Sequence, residues 1–251
     1  MKQTKQKNKR IISKILLAII LVFACILLAS QTKKVTEPSN TINSESSEII
    51  TVDEKEEKIN IKSSEDIDLE ATRKKYKNNE IIGRLEIPDL FNILITQTKD
   101  NSFYLNHSLT KKKDNKGTEF LDYRNKVTDK QINIYGHNSR TYNIPFRKLE
   151  KFKNKEFFDK NEYIIFQSDS GRRIYHILAI KEVSGAFEHM KITKTGQDFV
   201  EHVKILEKNA IQSRKLDYDE NSNLLVLQTC SYGKQKTYYV ITAIEIKGYT
   251  E

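Results

Sequence analysis

Cysteine is scarce in this chain of 251 residues, which contains Cys25 and Cys230 and no others. Cys25 lies inside a long apolar run near the N-terminus, so the pair cannot form the disulfide framework of a small secreted domain. The chain outside that run therefore carries one thiol, which in an oxidising compartment is a liability unless it is buried or used. On composition alone Cys230 fits a buried apolar residue as well as a reactive one.

The sequence also lacks the patterns of nucleic-acid-binding proteins. It has no zinc-knuckle spacing, no aromatic RNA-binding run and no recognition-helix pattern, although its formal net charge is +9. A basic domain is attracted equally to anionic lipid and to anionic wall polymer, so we predict no nucleic-acid partner. None of the 5 histidines lies at metal-ligand spacing from Asp, Glu or Cys. We therefore predict no metal site and no cofactor.

The N-terminus combines a basic tail with an apolar segment. Residues 1–10 are rich in Lys and Arg, and residues 11–30 are apolar apart from three polar side chains. About 20 such residues cross the hydrocarbon of a bilayer as a helix, and the basic flank predicts a cytoplasmic N-terminus. We predict a cytoplasmic tail (1–10), a single transmembrane helix in the cell membrane (11–30) and an extracellular remainder. A cleaved signal peptide ending near Ala29 and lipidation at Cys25 stay open as alternatives.

Residues 31–70 differ from both neighbours in composition. They are rich in Ser, Asn and Glu, with many more acidic than basic side chains and little apolar periodicity. This composition predicts an extended, solvated acidic stalk outside the cell. Near its end, the polar residues around Ser64 are typical of a helix start, and Ile67, Leu69 and Tyr76 would pack a short helix against the domain that follows.

Residues 71–251 form the predicted catalytic domain. Short apolar runs bounded by turn residues predict strands at 81–87, 92–96, 132–135, 163–167, 173–183, 224–229 and 238–246. Helical spacing is present at 197–213, and 144–158 fits one or two short helices. No internal repeat is present. Many short strands with few helices predict a mostly β fold, a barrel with peripheral helices.

Two side chains of complementary chemistry follow predicted strands. Cys230 ends the apolar strand that begins at Leu224, and His137 follows the strand at 132–135 and Gly136. A thiol at the mouth of a rigid strand is fixed by the scaffold yet open to attack a substrate. Imidazole can donate and then accept a proton near neutral pH. The sequence therefore offers a nucleophile and a proton-transfer partner, provided that the two strand ends meet.

Five sequence blocks, in order, resemble the class B sortases. They are residues 83–88 (GRLEIP), 99–107 (KDN followed by YLNH), 120–125 (FLDYRN), 134–138 (IYGHN) and 227–230 (LQTC). The likeness covers most of 81–246, behind the basic tail and apolar segment expected for such a protein. It implies an eight-stranded sortase-type β-barrel with N-terminal and peripheral helices, preceded by a transmembrane helix.

The resemblance also implies an activity and its partners. Class B sortases are calcium-independent cysteine transpeptidases of Gram-positive cell walls. The substrates would be secreted proteins with a C-terminal sorting signal of the Asn-Pro-x-Thr type. Cys230 would attack the Thr carbonyl and His137 would protonate the departing amine. The thioester would be resolved by a peptidoglycan peptide or cross-bridge amine. The resemblance further assigns Asn101, Leu105 and Tyr135 to the sorting-signal groove.

One position departs from the family pattern. Sortases carry an Arg on the strand after the cysteine, and matching the last strands puts Tyr238 there, while no Arg follows Arg214. A tyrosine donates one hydrogen bond without charge, and Lys236 could supply charge without the bidentate fork of Arg. A distant Arg172 or Arg173 is a further candidate for this role. Asp122 would orient a group near the site or cap a turn.

Other functions stay open on the sequence. The missing Arg allows a catalytically weak or inactive module that binds sorting signals. A pilin-polymerising sortase would use a pilin Lys as nucleophile, but no lid-like motif is present at 40–80. A hydrolytic cysteine protease would differ in resolving the thioester with water.

Overall fold

The computed structural model describes residues 40–42, 46–54, 57–184, 191, 195–230, 237–247 and 249–250. The predicted cytoplasmic tail and transmembrane segment lie outside these residues. Among the helices that are described, none is long and apolar enough to cross a membrane.

Eight strands close into a β-barrel. They are β3 (Ile81–Ile87), β4 (Phe91–Thr96), β5 (Phe120–Leu121), β6 (Gln131–Gly136), β7 (Tyr163–Ser168), β8 (Gly171–Ser184), β10 (Leu224–Cys230) and β11 (Thr237–Ile246). The sheet runs β11-β10-β6-β5-β4-β3-β7-β8, and pairing of β11 with β8 closes it. The short strand β9 (Gln212–Ser213) pairs with β8 outside this ring. The predicted mostly β, eight-stranded barrel is confirmed, and every strand predicted within it is present.

The barrel closes around an apolar interior. Inward-facing Leu and Ile side chains pack there with the phenyl rings of Phe146, Phe152 and Phe158, all without solvent exposure. These three rings come from the segment after β6, the 3₁₀ helix η2 (Pro145–Lys153) and helix α2 (Lys155–Lys160). The expectation of short helices at 144–158 is therefore confirmed, and they cover one end of the core.

The remaining helices lie outside the barrel wall. Helix α1 (Leu69–Tyr76) is capped by the Asp68 side chain and buries Leu69, as predicted for this segment. A single 3₁₀ turn, η1 (Phe103–Leu105), follows β4. Helix α3 (Gly196–Glu207) ends earlier than the predicted 213. It stops because Asn209 adopts a left-handed conformation and the next residues turn into β9.

The acidic segment contains a β hairpin. Strands β1 (Ser47–Glu54) and β2 (Glu57–Ser64) pair with each other, and β12 (Tyr249–Thr250) pairs with β1. Ile50 and Ile61 are buried in one cluster with barrel residues such as Ile165. The prediction of an extended, solvated stalk is therefore wrong for 47–64. The acidic composition concealed two strands, in which Ile50 and Ile61 pack against the barrel.

Candidate active site

The strand register brings the two chemically complementary residues to the same edge of the barrel. Strands β10 and β6 are parallel neighbours, and Thr229 is level with Gly136. The next residues along these strands are Cys230 and His137. Neighbouring strands lie about 4.8 Å apart, so the two backbones leave the sheet side by side. For Cys230 the structure describes the backbone alone.

Tyr238 lies directly across from the cysteine on the other side. Strand β11 runs antiparallel to β10, and Tyr238 is the cross-strand partner of Cys230. Directly opposite residues of an antiparallel pair belong to the same face of the sheet. The residue at the family's Arg position is thus the cross-strand neighbour of the predicted nucleophile.

A cavity of about 290 Å³ opens at this edge. It is lined by Asn101, Leu105, Phe120, Tyr135, Gly136, His137, Gln228, Thr229 and Tyr238. Five residues proposed from the sequence (Asn101, Leu105, Tyr135, His137 and Tyr238) are among them. The structure therefore brings the predicted groove residues and the predicted proton-transfer residue to one concave site beside the end of β10.

His137 is held through one edge of its imidazole ring. Its Nε2 atom donates a hydrogen bond to the backbone carbonyl of Leu105. A carbonyl only accepts, so this contact assigns a proton to Nε2. The ring is partly exposed, which leaves its other nitrogen, Nδ1, available to a group in the cavity.

Tyr135 is fixed by the buried Asp122 carboxylate, which also pairs with the partly exposed Arg124. Its hydroxyl donates to Asp122 over 2.8 Å, and Asp122 also accepts from the Arg124 guanidinium over 2.7 Å. Burial and the nearby Asp122 charge raise the pKa of Tyr135, so the phenol stays protonated. Burial raises the pKa of Asp122, but hydrogen bonds from Arg124 and Tyr135 outweigh it and leave the pKa lowered. Asp122 both caps the Arg124 backbone amide and orients a cavity-lining side chain.

The rest of the cavity wall is mixed in polarity. Leu105 is 38 % exposed at the rim, and the rings of Phe120 and Tyr135 pack at 5.6 Å. The side-chain oxygen of Asn101, Oδ1, accepts a hydrogen bond from the Tyr123 backbone amide at 2.9 Å, which fixes the Asn101 side chain at the rim. Such a wall suits an extended peptide with small apolar side chains and a few backbone hydrogen bonds.

The distant arginines cannot replace the family Arg. Arg172 pairs with Glu48 and Asp66, and Arg173 pairs with Glu245. Both lie at the start of β8, whereas Val183, near its end, is the residue level with Tyr238. At about 3.3 Å per residue this separation is roughly 35 Å, so this alternative is wrong. Lys236, the other candidate, lies outside the described residues.

Several contributors to the site were not predicted from the sequence. Phe120, Gly136, Gln228 and Thr229 line the cavity, and all four belong to blocks that carried the family resemblance. Gly117 lies against the His137 ring, and nothing in the local sequence marks it.

Within the described residues, no group of three or more His, Cys, Asp or Glu is arranged to hold a metal ion.

Comparison with known proteins gives consistent relatives. No family model matches the chain. Sortase B of Listeria monocytogenes is 27% identical over 161 residues, which cover 62% of this chain and 65% of that protein. Sortase B of Staphylococcus aureus is 22% identical over 176 residues, which cover 68% of this chain and 72% of that protein. The match to the Listeria protein thus spans slightly less than two thirds of its length.

Solved structures agree with the sequence comparison. Sortase B of Clostridium perfringens superposes with a TM-score of 0.66 and 26% identity, over 71% of this chain and 100% of that chain. A Staphylococcus aureus sortase B–substrate complex gives a TM-score of 0.65 at 22% identity, over 71% and 84%. A sortase B complexed with triglycine has the same TM-score and sequence identity, over 71% of this chain and 85% of that chain. The chain is thus similar to the class B sortases both in sequence and in fold.

Proposed function

We propose that this chain, a relative of the class B sortases in sequence and fold, transfers secreted proteins to the cell wall. It cleaves a C-terminal sorting signal of the Asn-Pro-x-Thr type through a Cys230 thioester and passes the acyl group to a wall amine. The observation that carries the proposal is the convergence of the β6, β10 and β11 ends. These bring the backbones of Cys230, His137 and Tyr238 to one cavity edge.

The reaction proceeds in two acyl transfers. The Cys230 thiolate attacks the Thr carbonyl carbon, and the carbonyl oxygen becomes an oxyanion. Collapse of this intermediate breaks the C–N bond while imidazolium His137 donates its proton to the departing amine. A wall amine then attacks the thioester and gives a proton to His137, and the thiolate leaves. Two steps with a good leaving group replace one difficult amide exchange.

Stabilisation of the oxyanion falls to groups other than Arg. The Tyr238 hydroxyl can donate one hydrogen bond to the developing charge, and Lys236 can supply a positive charge. A donor aimed at an oxyanion contributes about 10²–10³ in rate, and a guanidinium would give two donors with its charge. We therefore propose a working but slow enzyme.

The cavity residues divide the work of binding. Leu105 and the rings of Phe120 and Tyr135 form the apolar wall, and the Asn101 side chain lies at the rim. The related sortase B structures with a substrate and with triglycine support a peptide substrate and an amine acceptor. The matching partners of this chain are secreted proteins with a sorting signal and a peptidoglycan amine.

We propose that the enzyme works at the outer face of a Gram-positive membrane. The support is the basic tail at 1–10 followed by the apolar segment at 11–30. Protease added to intact cells should remove the catalytic domain and spare an epitope placed at the N-terminus. Digestion only after lysis would overturn this topology.

The decisive experiment follows the thioester. The full-length chain in detergent is mixed with an Asn-Pro-x-Thr peptide, with and without triglycine, and products are identified by mass spectrometry. We expect an acyl adduct on Cys230 and ligation of triglycine. Cys230→Ala should abolish both, whereas Cys25→Ala, which removes the other thiol, should abolish neither. Hydrolysis without ligation would indicate a protease instead.

A second candidate function is supported by Tyr238 at the Arg position. A module that kept the fold but lost the charged donor would bind sorting signals without cleaving them. Isothermal titration of the same peptide against the wild type separates the two. Binding without adduct or cleavage would favour this module over the transpeptidase.

A further inference from the structure

Gly117, to which no role has yet been assigned, lies against the imidazole ring of His137. It follows a turn in which its N–H donates to the Asp114 carbonyl over 3.0 Å, and its φ is +66°. A Cβ built on it would lie 2.9 Å from His137 Cδ2 and 2.7 Å from the Tyr104 carbonyl oxygen. Real Cβ atoms are not found so close to backbone oxygens, so no side chain fits here without displacing the imidazole ring or the chain beside it.

The same wall supplies the hydrogen bond that orients the ring. The Leu105 carbonyl, which accepts from His137 Nε2, would lie 2.9 Å from a Cβ on Gly117. Cδ2 and Nε2 are neighbouring atoms of the imidazole ring. Gly117 and the Leu105 carbonyl therefore hold one edge of the ring, and the opposite edge, which carries Nδ1, faces away from them.

The wall itself is anchored in the protein interior. The buried phenol of Tyr104 accepts from Asn78 and donates to Glu80, both over 2.8 Å. The Tyr104 carbonyl accepts from the Thr118 backbone amide over 2.9 Å. Because these contacts fix the chain on both sides of Gly117, the carbonyl of Leu105 cannot easily follow a displaced ring.

We propose that Gly117 is a positioning residue that keeps His137 in the Nε2–H tautomer, so that Nδ1 performs both proton transfers. The inference rests on the transpeptidase proposed above and adds the atom that acts. In the first acyl transfer Nδ1–H of the imidazolium passes its proton to the departing amine, and the Nε2–H bond to Leu105 is unchanged. In the second, the incoming amine returns a proton to Nδ1.

The wild-type tautomer tests the geometry directly. The full-length chain with ¹⁵N-labelled histidine is studied in detergent by long-range ¹H–¹⁵N correlation at alkaline pH, and His137→Gln identifies the His137 signals. We expect a protonated Nε2 and an unprotonated Nδ1. A protonated Nδ1 would overturn the proposal, and this measurement needs no activity and no variant of Gly117.

Gly117→Ala tests the positioning role, with Gly196→Ala as its matched control. Gly196 has a similar φ of +54°, but no described atom lies within 4 Å of a Cβ built there. Both variants carry a similar penalty for a Cβ on a left-handed backbone. We expect Gly117→Ala to mix the tautomers and lower kcat by about 10- to 100-fold with little change in KM. Gly196→Ala should change neither.

The outcomes separate this inference from the proposed function. If Gly117→Ala is as stable as Gly196→Ala yet keeps the wild-type tautomer of His137 and the wild-type kcat, the positioning role is overturned. A different result is that the wild type cleaves no sorting peptide, while His137 carries a proton on Nε2 in the wild type and not in Gly117→Ala. The positioning role then stands, and the proposed transpeptidase activity is overturned.

Discussion

Tyr238 is the residue at which the proposed site departs from the family pattern. It is the cross-strand partner of Cys230 and lines the cavity. A Tyr hydroxyl can stabilise an oxyanion with one hydrogen bond, whereas a guanidinium would add charge and a second donor. Tyr238 thus lies next to the predicted nucleophile, but it can stabilise an oxyanion less strongly than the family arginine.

Substitution at this position should change the rate in both directions. We expect Tyr238→Arg to raise kcat/KM for an Asn-Pro-x-Thr peptide by about tenfold or more, and Tyr238→Phe to lower it by a similar factor. Single-turnover cleavage measures both. Tyr239→Phe is the control, because adjacent strand residues face opposite sides and the Tyr239 hydroxyl accepts from Lys153. An unchanged rate in Tyr238→Arg would mean that another group already supplies the charge.

Individual site residues could be predicted from the sequence where they belong to an ordered motif. His137, Asn101, Leu105 and Tyr135 were proposed from such blocks, and all four line the cavity. Gly117 could not be found this way, because its importance comes from the His137 ring, which is near in space and 20 positions away in the chain. Whether these residues act as proposed remains a prediction.

The β1–β2 hairpin shows how tertiary contacts override composition at the scale of an element. Its acidic side chains predicted a solvated stalk. In the structure Arg172 on β8 pairs with Glu48 at 2.5 Å and with Asp66 at 2.7 Å, and the fully buried Arg84 also contacts Asp66. Barrel arginines thus pair with Glu48 of the hairpin and with Asp66 just after it, and Ile50 and Ile61 add apolar burial.

Removing one of these arginines should loosen the hairpin. Arg172→Met keeps most of the apolar stem but leaves Glu48 and Asp66 without this partner. Both carboxylates are partly exposed, so water softens the loss. We expect the free energy of unfolding to fall by roughly 1–3 kcal/mol. Urea denaturation measures it, and hydrogen exchange should accelerate in β1 and β2.

Lys204→Met is the matched control for this prediction. Lys204 pairs with Glu201 on the exposed face of α3, three residues apart. An exposed pair of this kind contributes at most about 0.5 kcal/mol. An equally small effect of Arg172→Met would show that apolar burial, rather than the ion pairs, holds the hairpin on the barrel.

For the whole molecule, the sequence predicted the strands better than their arrangement. Strands 81–87, 163–167 and 224–229 are apolar runs bounded by turns, so local pattern was enough. The β8–β11 pairing that closes the barrel joins residues far apart in the chain. Local pattern holds no information on such a pairing, and the eight-stranded barrel was expected through the family resemblance alone.

One buried carboxyl gives the whole fold a pH dependence. Glu119 is 3% exposed, lies against Gly136 at the end of β6, and accepts from the Asn40 side-chain amide. Burial raises its pKa from 4.5 to about 7, against smaller opposing effects of its hydrogen bonds. Between these pH values the folded state binds a proton that the unfolded state has lost. The free energy of unfolding therefore falls as pH rises through this window, by roughly 3 kcal/mol in all.

Glu119→Gln should remove this dependence, because an amide does not titrate. We expect the variant and the wild type to have similar Tm at pH 4.5. At pH 8 the variant should be more stable, by roughly 6 °C or more. Because other carboxyls also titrate, the informative quantity is the difference between the two proteins at each pH. Glu201→Gln, at an exposed position of α3, should show no such growing difference. A difference between Glu119→Gln and wild type that stays constant from pH 4.5 to 8 would mean that folding does not raise the pKa of Glu119.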